Sequence, residues 1–250
     1  MRLRAISRRA VVMALPALVA MSTGLTGQGG ASAEELASAG AAPRGVVLLL
    51  HPGAFVWPDQ TRMRRAAARL RAAGFRPVYV DYTLVDPAQA WKDTKAAAER
   101  TRAEYAYGES AGGVLAGLLV RHGLVSAAVV NSGIPDLTTP PARVWLSPMK
   151  VSYAQARALS PALGPARAPA LALSSAGDFG FVRASQKRWA RQDPLVRYGH
   201  TDGGHIYGAT PDSYPRILDR VTRFLSMHGP SVWLAGYGRS TAGSAVNTGR

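Results

Sequence analysis

The stretch "YGESAGG", residues 107–113, places a serine between two glycines where the hydrophobic pattern changes. The segment "EYAY" (104–107) resembles a short strand, and "GVLAGLLVRHG" (113–123) has a helical pattern that ends at a glycine. In a sharp strand-to-helix turn, the residues two before and two after the exposed serine must be small, because the chain folds back on itself. Gly108 and Gly112 occupy these two places. The stretch therefore predicts that the central serine is a nucleophile at the end of a strand.

The rest of the chain alternates short apolar runs with helical patterns, which is typical of a parallel sheet with crossover helices. Strands are predicted at 45–50, 75–82, 104–107, 127–132, 169–175 and 193–199. Helices are predicted at 61–73, 88–103, 111–122, 183–192 and about 213–228. The sequence therefore predicts an α/β fold with a mostly parallel sheet of about six strands flanked by helices.

The alternation is interrupted at 133–168, where the chain is rich in proline and small residues. A segment inserted after the fourth strand would lie over the carboxyl edge of the sheet, where ligands bind in open α/β folds. We therefore predict a small cap insertion at 133–168. Its Trp145, Met149 and Tyr153 either line a pocket or pack the cap against its own domain.

A serine nucleophile needs an adjacent base, and the base needs an acid that orients it. When the chain order is nucleophile, acid and base, the acid follows a later strand and the histidine lies in a loop near the C-terminus. Asp178 in "LALSSAGDFGFV" (171–182) meets the first requirement, and His205 in "YGHTDGGHIYG" (198–208) meets the second. Ser110, Asp178 and His205 are therefore the predicted catalytic residues.

Two other residues compete for these roles. His200 is the alternative base, although the two glycines before His205 suit a tight loop that presents a side chain over the sheet edge. Asp202 is the alternative acid, although "TDGG" is also typical of a turn. A metal cluster of His200, Asp202 and His205 is a weaker alternative, and no metal site is predicted. Of the other histidines, His51 belongs to another motif, and His122 and His228 end predicted helices.

The segment "LLLHPGAFVW" (48–57) places a loop of small residues after the first predicted strand. Such a loop can offer backbone amides to the oxyanion that forms when a serine attacks a carbonyl. Pro52 has no amide hydrogen. Gly53 and Ala54 are therefore the predicted donors, together with Ala111, which follows the nucleophile.

The N-terminus has the pattern of an export signal. "MRLRAISRRAVVMALPALVAM" (1–21) has a basic start and an apolar run that is too short to span a bilayer. "ASA" at 31–33 is a small-residue cleavage pattern, which predicts a signal at 1–33 and a mature chain that begins at Glu34. "SRR" at 7–9 resembles a twin-arginine signal. An uncleaved membrane anchor is the alternative.

The mature chain is predicted to be secreted, with a single domain at 34–228 and no stable membrane anchor. Residues 229–250 are rich in glycine, serine, threonine and alanine, which predicts a flexible tail. The sequence contains no cysteine, which excludes disulfides and thiolate metal sites.

The chain is strongly basic, with a formal net charge of +15. Removal of residues 1–33 takes away four arginines and no acidic residue, which leaves +11. The cations are scattered, without the interleaved aromatic residues of a nucleic-acid groove, so no specific nucleic-acid partner is predicted. A basic surface of this kind could still attract anionic polymers.

The predicted helix at 61–73 carries the densest group of arginines. At helical period, one stripe is apolar and consists of Met63, Ala66, Ala67, Leu70 and Ala73. Three arginines share another face, which we interpret as a solvated basic side: Arg62, Arg65 and Arg69.

These motifs together resemble the α/β-hydrolase superfamily, specifically the small esterases of the hormone-sensitive-lipase and arylformamidase-like groups. The resemblance extends over most of the mature chain, roughly Gly45 to Leu225. It is carried by "HPGAF" (51–55), "DYTL" (81–84), "GESAGG" (108–113), "NSGIPDL" (131–137), "LSP" (159–161) and "GDFGFV" (177–182).

The resemblance implies the same roles that were predicted above from the residues alone. Ser110 is the nucleophile, Asp178 the acid and His205 the base, and the oxyanion donors are Gly53, Ala54 and Ala111. Pro52 and Ala54 depart from the loop glycines of the family. Only a short stretch separates Glu34 from Gly45, so the two antiparallel strands that usually open this fold are predicted to be missing.

The expected function is an exported serine hydrolase that cleaves small-molecule carboxylic esters, with short acyl groups, through an acyl-enzyme and without a cofactor. The same fold also hosts amidases, peptidases and acyltransferases. A catalytically silent binding protein is the alternative from a different class.

Overall fold

Six strands form one parallel sheet in the order β2-β1-β3-β4-β5-β6. A computed structural model describes residues 43–205 and 213–229. The strands are β1 Val46–Leu50, β2 Arg76–Val80, β3 Tyr105–Glu109, β4 Ala127–Asn131, β5 Ala170–Gly177 and β6 Val196–Gly204. The predicted export signal at 1–33 and the predicted tail beyond Gly229 lie outside the described residues.

Seven helices accompany this sheet in the described part of the chain. They are α1 Gln60–Ala72, α2 Pro87–Thr101, α3 Ala111–His122, α4 Pro140–Leu146, α5 Tyr153–Ala158, α6 Gly180–Gln192 and α7 Ser213–Met227. The predicted α/β class and the six-stranded parallel sheet are confirmed. None of these helices is both long and apolar enough to cross a membrane.

The helices bury apolar side chains on both faces of the sheet. On one face, α1 and α7 cover alternate strand residues such as Val47 and Leu49. On the other face, α2, α3 and α6 cover Leu48 and Leu50. β1, β3 and β4 are buried along their whole length, which explains why they are short runs without a polar side.

The predicted end of the last strand was wrong. We expected the last strand to stop at Gly199, but β6 continues to Gly204. "TDGG" is therefore paired strand and not a turn: Ser175 lies opposite Thr201, and Gly177 lies opposite Gly204. Pairing along β5 outweighs the turn preference of glycine and aspartate here.

The cap insertion is helical, although its sequence shows no clean period. It contains α4, α5 and two short 3₁₀ turns at Ser147–Met149 and Pro161–Leu163. Ser152 and Gln155 form a reciprocal capping box at the start of α5, a local signal that explains this helix. In the cap, Trp145 and Tyr153 are exposed, whereas Met149 packs against the core.

The turn between β3 and α3 is packed against neighbouring backbone at two glycines. A Cβ on Gly108 would lie 2.0 Å from the Gly112 carbonyl oxygen, and a Cβ on Gly112 would lie 2.0 Å from the Leu50 carbonyl oxygen. Neither neighbour is a flexible side chain that could move aside. The two glycines therefore allow α3 to start directly behind β1 and β3.

We expect Gly112→Ala to destabilise the protein by about 1–3 kcal/mol or more, because the added methyl group would overlap the Leu50 backbone. Urea unfolding measures the effect. Gly180→Ala is the matched control, since no atom lies within 4 Å of its added Cβ. The control should change stability by less than about 1 kcal/mol. Equal unfolding midpoints for Gly112→Ala and the wild type would contradict this account of the turn.

Candidate active site

Ser110 lies at the turn between β3 and α3 in a strained backbone conformation, with φ 51° and ψ −111°. Non-glycine residues avoid this region unless the surrounding structure imposes it. The Ser110 amide donates to the Asn131 carbonyl at 2.8 Å, which fixes the turn against the end of β4. The hydroxyl does not cap α3. The geometry is therefore that of a serine presented at the carboxyl edge of the sheet.

Asp178 and His205 are in direct contact at the same edge. Asp178 follows β5 and His205 follows β6, and His205 Nδ1 donates a hydrogen bond to Asp178 Oδ1. The aspartate is buried and the histidine is half-buried. The His205 amide also donates to the Gly177 carbonyl at 3.2 Å, which fixes His205 beside the end of β5. The structure thus pairs the predicted acid with the predicted base.

Ser132 was not predicted as a site residue, but it binds the second carboxylate oxygen of Asp178. Its hydroxyl donates to Asp178 Oδ2 at 2.8 Å, and the Ser175 amide donates to the same oxygen at 3.1 Å. Ser132 has a positive φ of 52° and follows β4, next to the Asn131 carbonyl that holds Ser110. The only sequence signal was its place in "NSG", which does not specify a side-chain partner.

Arg183 was also missed. Its guanidinium donates to the carbonyls of Ala176 and Asp178, each at 2.5 Å, from the first turns of α6. It therefore holds the backbone around Asp178. We predicted that this helix would begin at Arg183, but it begins at Gly180, which brings the arginine within reach of the turn.

The competing residues lie apart from this contact. His200 is exposed within β6, and its carbonyl accepts a hydrogen bond from Arg220 at 2.6 Å. The Asp202 side chain is 87% exposed and lies 3.9 Å from Arg216. Among residues 43–205 and 213–229, no three histidine, aspartate or glutamate side chains are grouped so as to hold a metal ion.

The loop after β1 is folded tightly around Gly53. The Gly53 carbonyl accepts from the amides of Val56 and Trp57, at 2.8 and 3.1 Å. Gly53 has a φ of 129°, and an added Cβ would lie 1.6 Å from the Trp57 carbonyl oxygen, so only glycine fits. Ala54 follows in a left-handed conformation with φ 53°. This alanine accepts the conformation that a glycine would take more easily.

Tyr82 supports this loop from "DYTL". Its ring stacks on His51, with ring centroids 4.1 Å apart, and its hydroxyl donates to the His51 carbonyl at 2.6 Å. Burial lowers the pKa of His51, and this outweighs the hydrogen bond to the Pro52 carbonyl, which acts in the opposite direction. His51 is therefore a neutral, structural residue of the loop.

The fold is similar to solved esterase structures. An esterase from Thermogutta terrifontis bound to butyrate matches with a TM-score of 0.63 and 18% identity, covering 75% of this chain and 84% of that one. The same esterase phosphonylated by sarin matches with a TM-score of 0.63 and 17% identity, covering 75% and 85%. Carboxyl esterase 2 from Tuber melanosporum has a TM-score of 0.59 and 14% identity, covering 74% and 78%.

The chain has the α/β-hydrolase fold. No protein-family model matches its sequence, and no curated protein does either. The likeness is therefore carried by the sheet topology and the placement of elements, and not by extensive sequence identity.

A buried carboxylate precedes the serine of this hydrolase fold. Glu109 is fully buried, and its Oε2 accepts from Arg62 Nε at 2.9 Å. Its Oε1 accepts from the hydroxyls of Tyr107 and Tyr214, the latter at 2.8 Å. The Arg62 guanidinium also lies over the Tyr214 ring, 4.4 Å from its centroid. These four side chains, which we call the Glu109 cluster, join β3 to α1 and α7.

The Glu109 cluster corrects our interpretation of α1. The apolar stripe is confirmed. Arg62, however, does not share the solvated face of Arg65 and Arg69, because its guanidinium pairs with the buried carboxylate of Glu109. Burial opposes the charge of Arg62, but the carboxylate outweighs burial and raises the pKa of Arg62. Burial, and then the charge of Glu109, raise the pKa values of Tyr107 and Tyr214, so both phenols remain hydrogen-bond donors.

We expect Glu109→Gln to destabilise the protein by about 3–5 kcal/mol, because it leaves the charge of Arg62 buried and unpaired. Denaturant unfolding at neutral pH measures the loss. Asp219→Asn is the control, since its pair with Arg69 is exposed, with side chains 46% and 49% accessible. The control should cost less than about 1 kcal/mol. Similar losses for the two variants would contradict a special role for the buried pair.

Proposed function

We propose that this protein is a serine hydrolase that cleaves carboxylic esters through an acyl-enzyme. The contact between Asp178 and His205, at the same sheet edge as the strained turn of Ser110, is the observation that carries the proposal. An imidazole oriented by a buried carboxylate can take a proton from a serine hydroxyl. No cofactor takes part in this chemistry.

In the proposed reaction, Ser110 attacks the ester carbonyl while His205 takes its proton. The imidazolium then delivers this proton to the leaving alcohol as the tetrahedral intermediate collapses to the acyl-enzyme. A water molecule repeats the sequence and releases the acid. Because Nδ1 of His205 donates to Asp178, the other ring nitrogen is the one that takes the proton from Ser110 and passes it to the leaving alcohol.

The oxyanion donors in this proposal are the amides of Gly53, Ala54 and Ala111. Within the described residues, none of the three donates a hydrogen bond to a protein acceptor. Ala111 begins α3, so the positive end of the helix dipole adds to its amide. Amides that are held in place before the reaction stabilise the developing negative charge without having to reorganise.

The structural neighbours support ester hydrolysis as the general activity. The Thermogutta terrifontis esterase has been captured with butyrate and as a sarin adduct. Organophosphorus reagents of this kind react with activated nucleophiles, which makes a fluorophosphonate probe a direct test for this chain.

We expect a fluorophosphonate probe to label the wild-type protein and to leave Ser110→Ala unlabelled. His205→Ala should slow labelling by about 10²–10⁴-fold, because the general base is lost. Ser147→Ala, which removes an exposed serine of the cap, should label like the wild type. A folded wild-type protein that does not label would rule out the enzyme hypothesis in favour of a silent binding protein.

We propose that the acyl group is short. The cap that faces the carboxyl edge has only two helices, of 7 and 6 residues, and its aromatic side chains are exposed. An enclosed tunnel for a long chain would need more apolar surface than this cap supplies.

The acyl preference is tested with p-nitrophenyl esters from acetate to palmitate, which share one leaving group. We expect kcat/KM to be highest for acetate or butyrate and to fall for longer chains. A steady rise with chain length would refute the proposed preference without affecting the assignment of Ser110.

We also propose that the protein is exported, on the basis of its N-terminal pattern at 1–33. The protein recovered outside the cytoplasm of a bacterial host should begin at Glu34 by N-terminal sequencing. Substitution of Arg8 and Arg9 by lysine should retain the uncleaved chain inside the cell if the twin-arginine route is used. Recovery of an intact N-terminus from the membrane fraction would instead indicate an anchor.

A further inference from the structure

A row of aromatic rings leads from the proposed base to the cap. The Phe179 ring lies 4.9 Å from the His205 ring between centroids. Phe181 stacks on Phe179, with ring centroids 5.8 Å apart, and the Trp145 ring of α4 lies 5.6 Å from the Phe179 ring between centroids. Phe179 comes directly after the proposed acid, so the turn that positions Asp178 also positions this ring.

These rings present apolar surface to solvent. Phe179 is 43% exposed and Trp145 is 46% exposed, although each touches another aromatic ring. Single exposed apolar residues are ordinary, whereas contiguous exposed apolar surface rimmed by polar residues is typical of interaction sites and ligand-binding grooves. Aromatic rings bind another flat ring well, by offset stacking or edge-to-face contact.

The position of the rings relative to the sheet indicates which part of the substrate they would contact. The loop after β1 lies on one side of Ser110, because β1 neighbours β3. Asp178, His205 and Phe179 lie on the other side, where β5 and β6 end. The proposed base must deliver its proton to the oxygen of the leaving alcohol, so the group on that oxygen lies beside the imidazole and within reach of Phe179.

We propose that Phe179, Phe181 and Trp145 form a subsite for an aromatic ring on the alcohol side of the ester. The preferred substrates are then short-chain acyl esters of aromatic alcohols. This inference rests on the proposed esterase function and adds the class of leaving group to it.

The experiment compares benzyl acetate with cyclohexylmethyl acetate. Both esters have the same acyl group and six-membered rings of similar size, and their alcohols differ little in acidity, so neither chain length nor leaving-group reactivity separates them. The cyclohexyl ring is at least as hydrophobic but cannot stack. We expect kcat/KM to favour benzyl acetate roughly two- to tenfold.

A second pair places the ring on the acyl side: methyl phenylacetate and methyl cyclohexylacetate. We expect no comparable preference within this pair. A preference that appears here and not in the first pair would overturn the assignment of the aromatic subsite to the alcohol side.

Two variants test the residues. Phe179→Leu and Trp145→Leu should each reduce the benzyl-to-cyclohexylmethyl ratio toward one. Tyr153→Leu is the matched control, because this cap residue is 59% exposed and contacts none of the three rings. The control should keep the wild-type ratio. Titration with the fluorophosphonate probe counts the competent sites, so that each rate refers to folded enzyme.

The outcomes separate the two proposals. A wild type that hydrolyses both acetates at equal kcat/KM overturns the aromatic subsite and leaves the esterase function standing. An unchanged ratio in both leucine variants overturns the assignment to these rings. A wild type that neither labels nor hydrolyses any ester overturns the esterase function, and the subsite with it.

Discussion

The close approach of the β3–α3 turn to β1 is the constraint on which the rest of the site depends. Gly112 lies against the Leu50 carbonyl, and Gly108 lies against the carbonyl of Gly112, with no room for a side chain at either position. Because α3 starts so close to the sheet, Ser110 takes its strained conformation at the edge. The same approach brings the Ala111 amide next to the loop that follows β1. One packing requirement thus places the serine and the proposed oxyanion donors together.

A buried charge beside this turn adds a second constraint. Glu109 cannot reach water, so its carboxylate depends on Arg62, Tyr107 and Tyr214 for hydrogen bonds. Such a pair contributes little to net stability compared with an apolar core, but it is costly to leave incomplete. Its value is in position, because Tyr214 lies in the first turn of α7. The Glu109 cluster therefore ties β3, the strand that leads to Ser110, to the start of α7.

The sequence was sufficient where a local rule governs the structure. The glycine spacing, the strand and helix periods and the apolar stripe of α1 predict the sheet, its helices and the turn at Ser110. It was insufficient where a partner lies far along the chain. Periodicity places Arg62 on a polar face but cannot show that Glu109, 47 positions later, pairs with it. Ser132 likewise gains its role only when β4 and β5 align, and β6 extends through "TDGG" because β5 is there to pair with it.

The two histidines at the carboxyl edge differ in what surrounds them, and in the proposed reaction this difference assigns proton transfer to one of them. His51 is buried against Tyr82, and burial lowers its pKa, so it stays neutral at neutral pH and only supports the loop. In the proposed reaction, a neutral ring leaves the amide dipoles of Gly53 and Ala54 as the positive groups that face the developing oxyanion. His205 instead contacts the carboxylate of Asp178, which orients the ring for its proposed role as the base. In the proposed reaction, the side of Ser110 toward β1 therefore stabilises negative charge, while the side toward β5 and β6 carries the proton to the leaving alcohol.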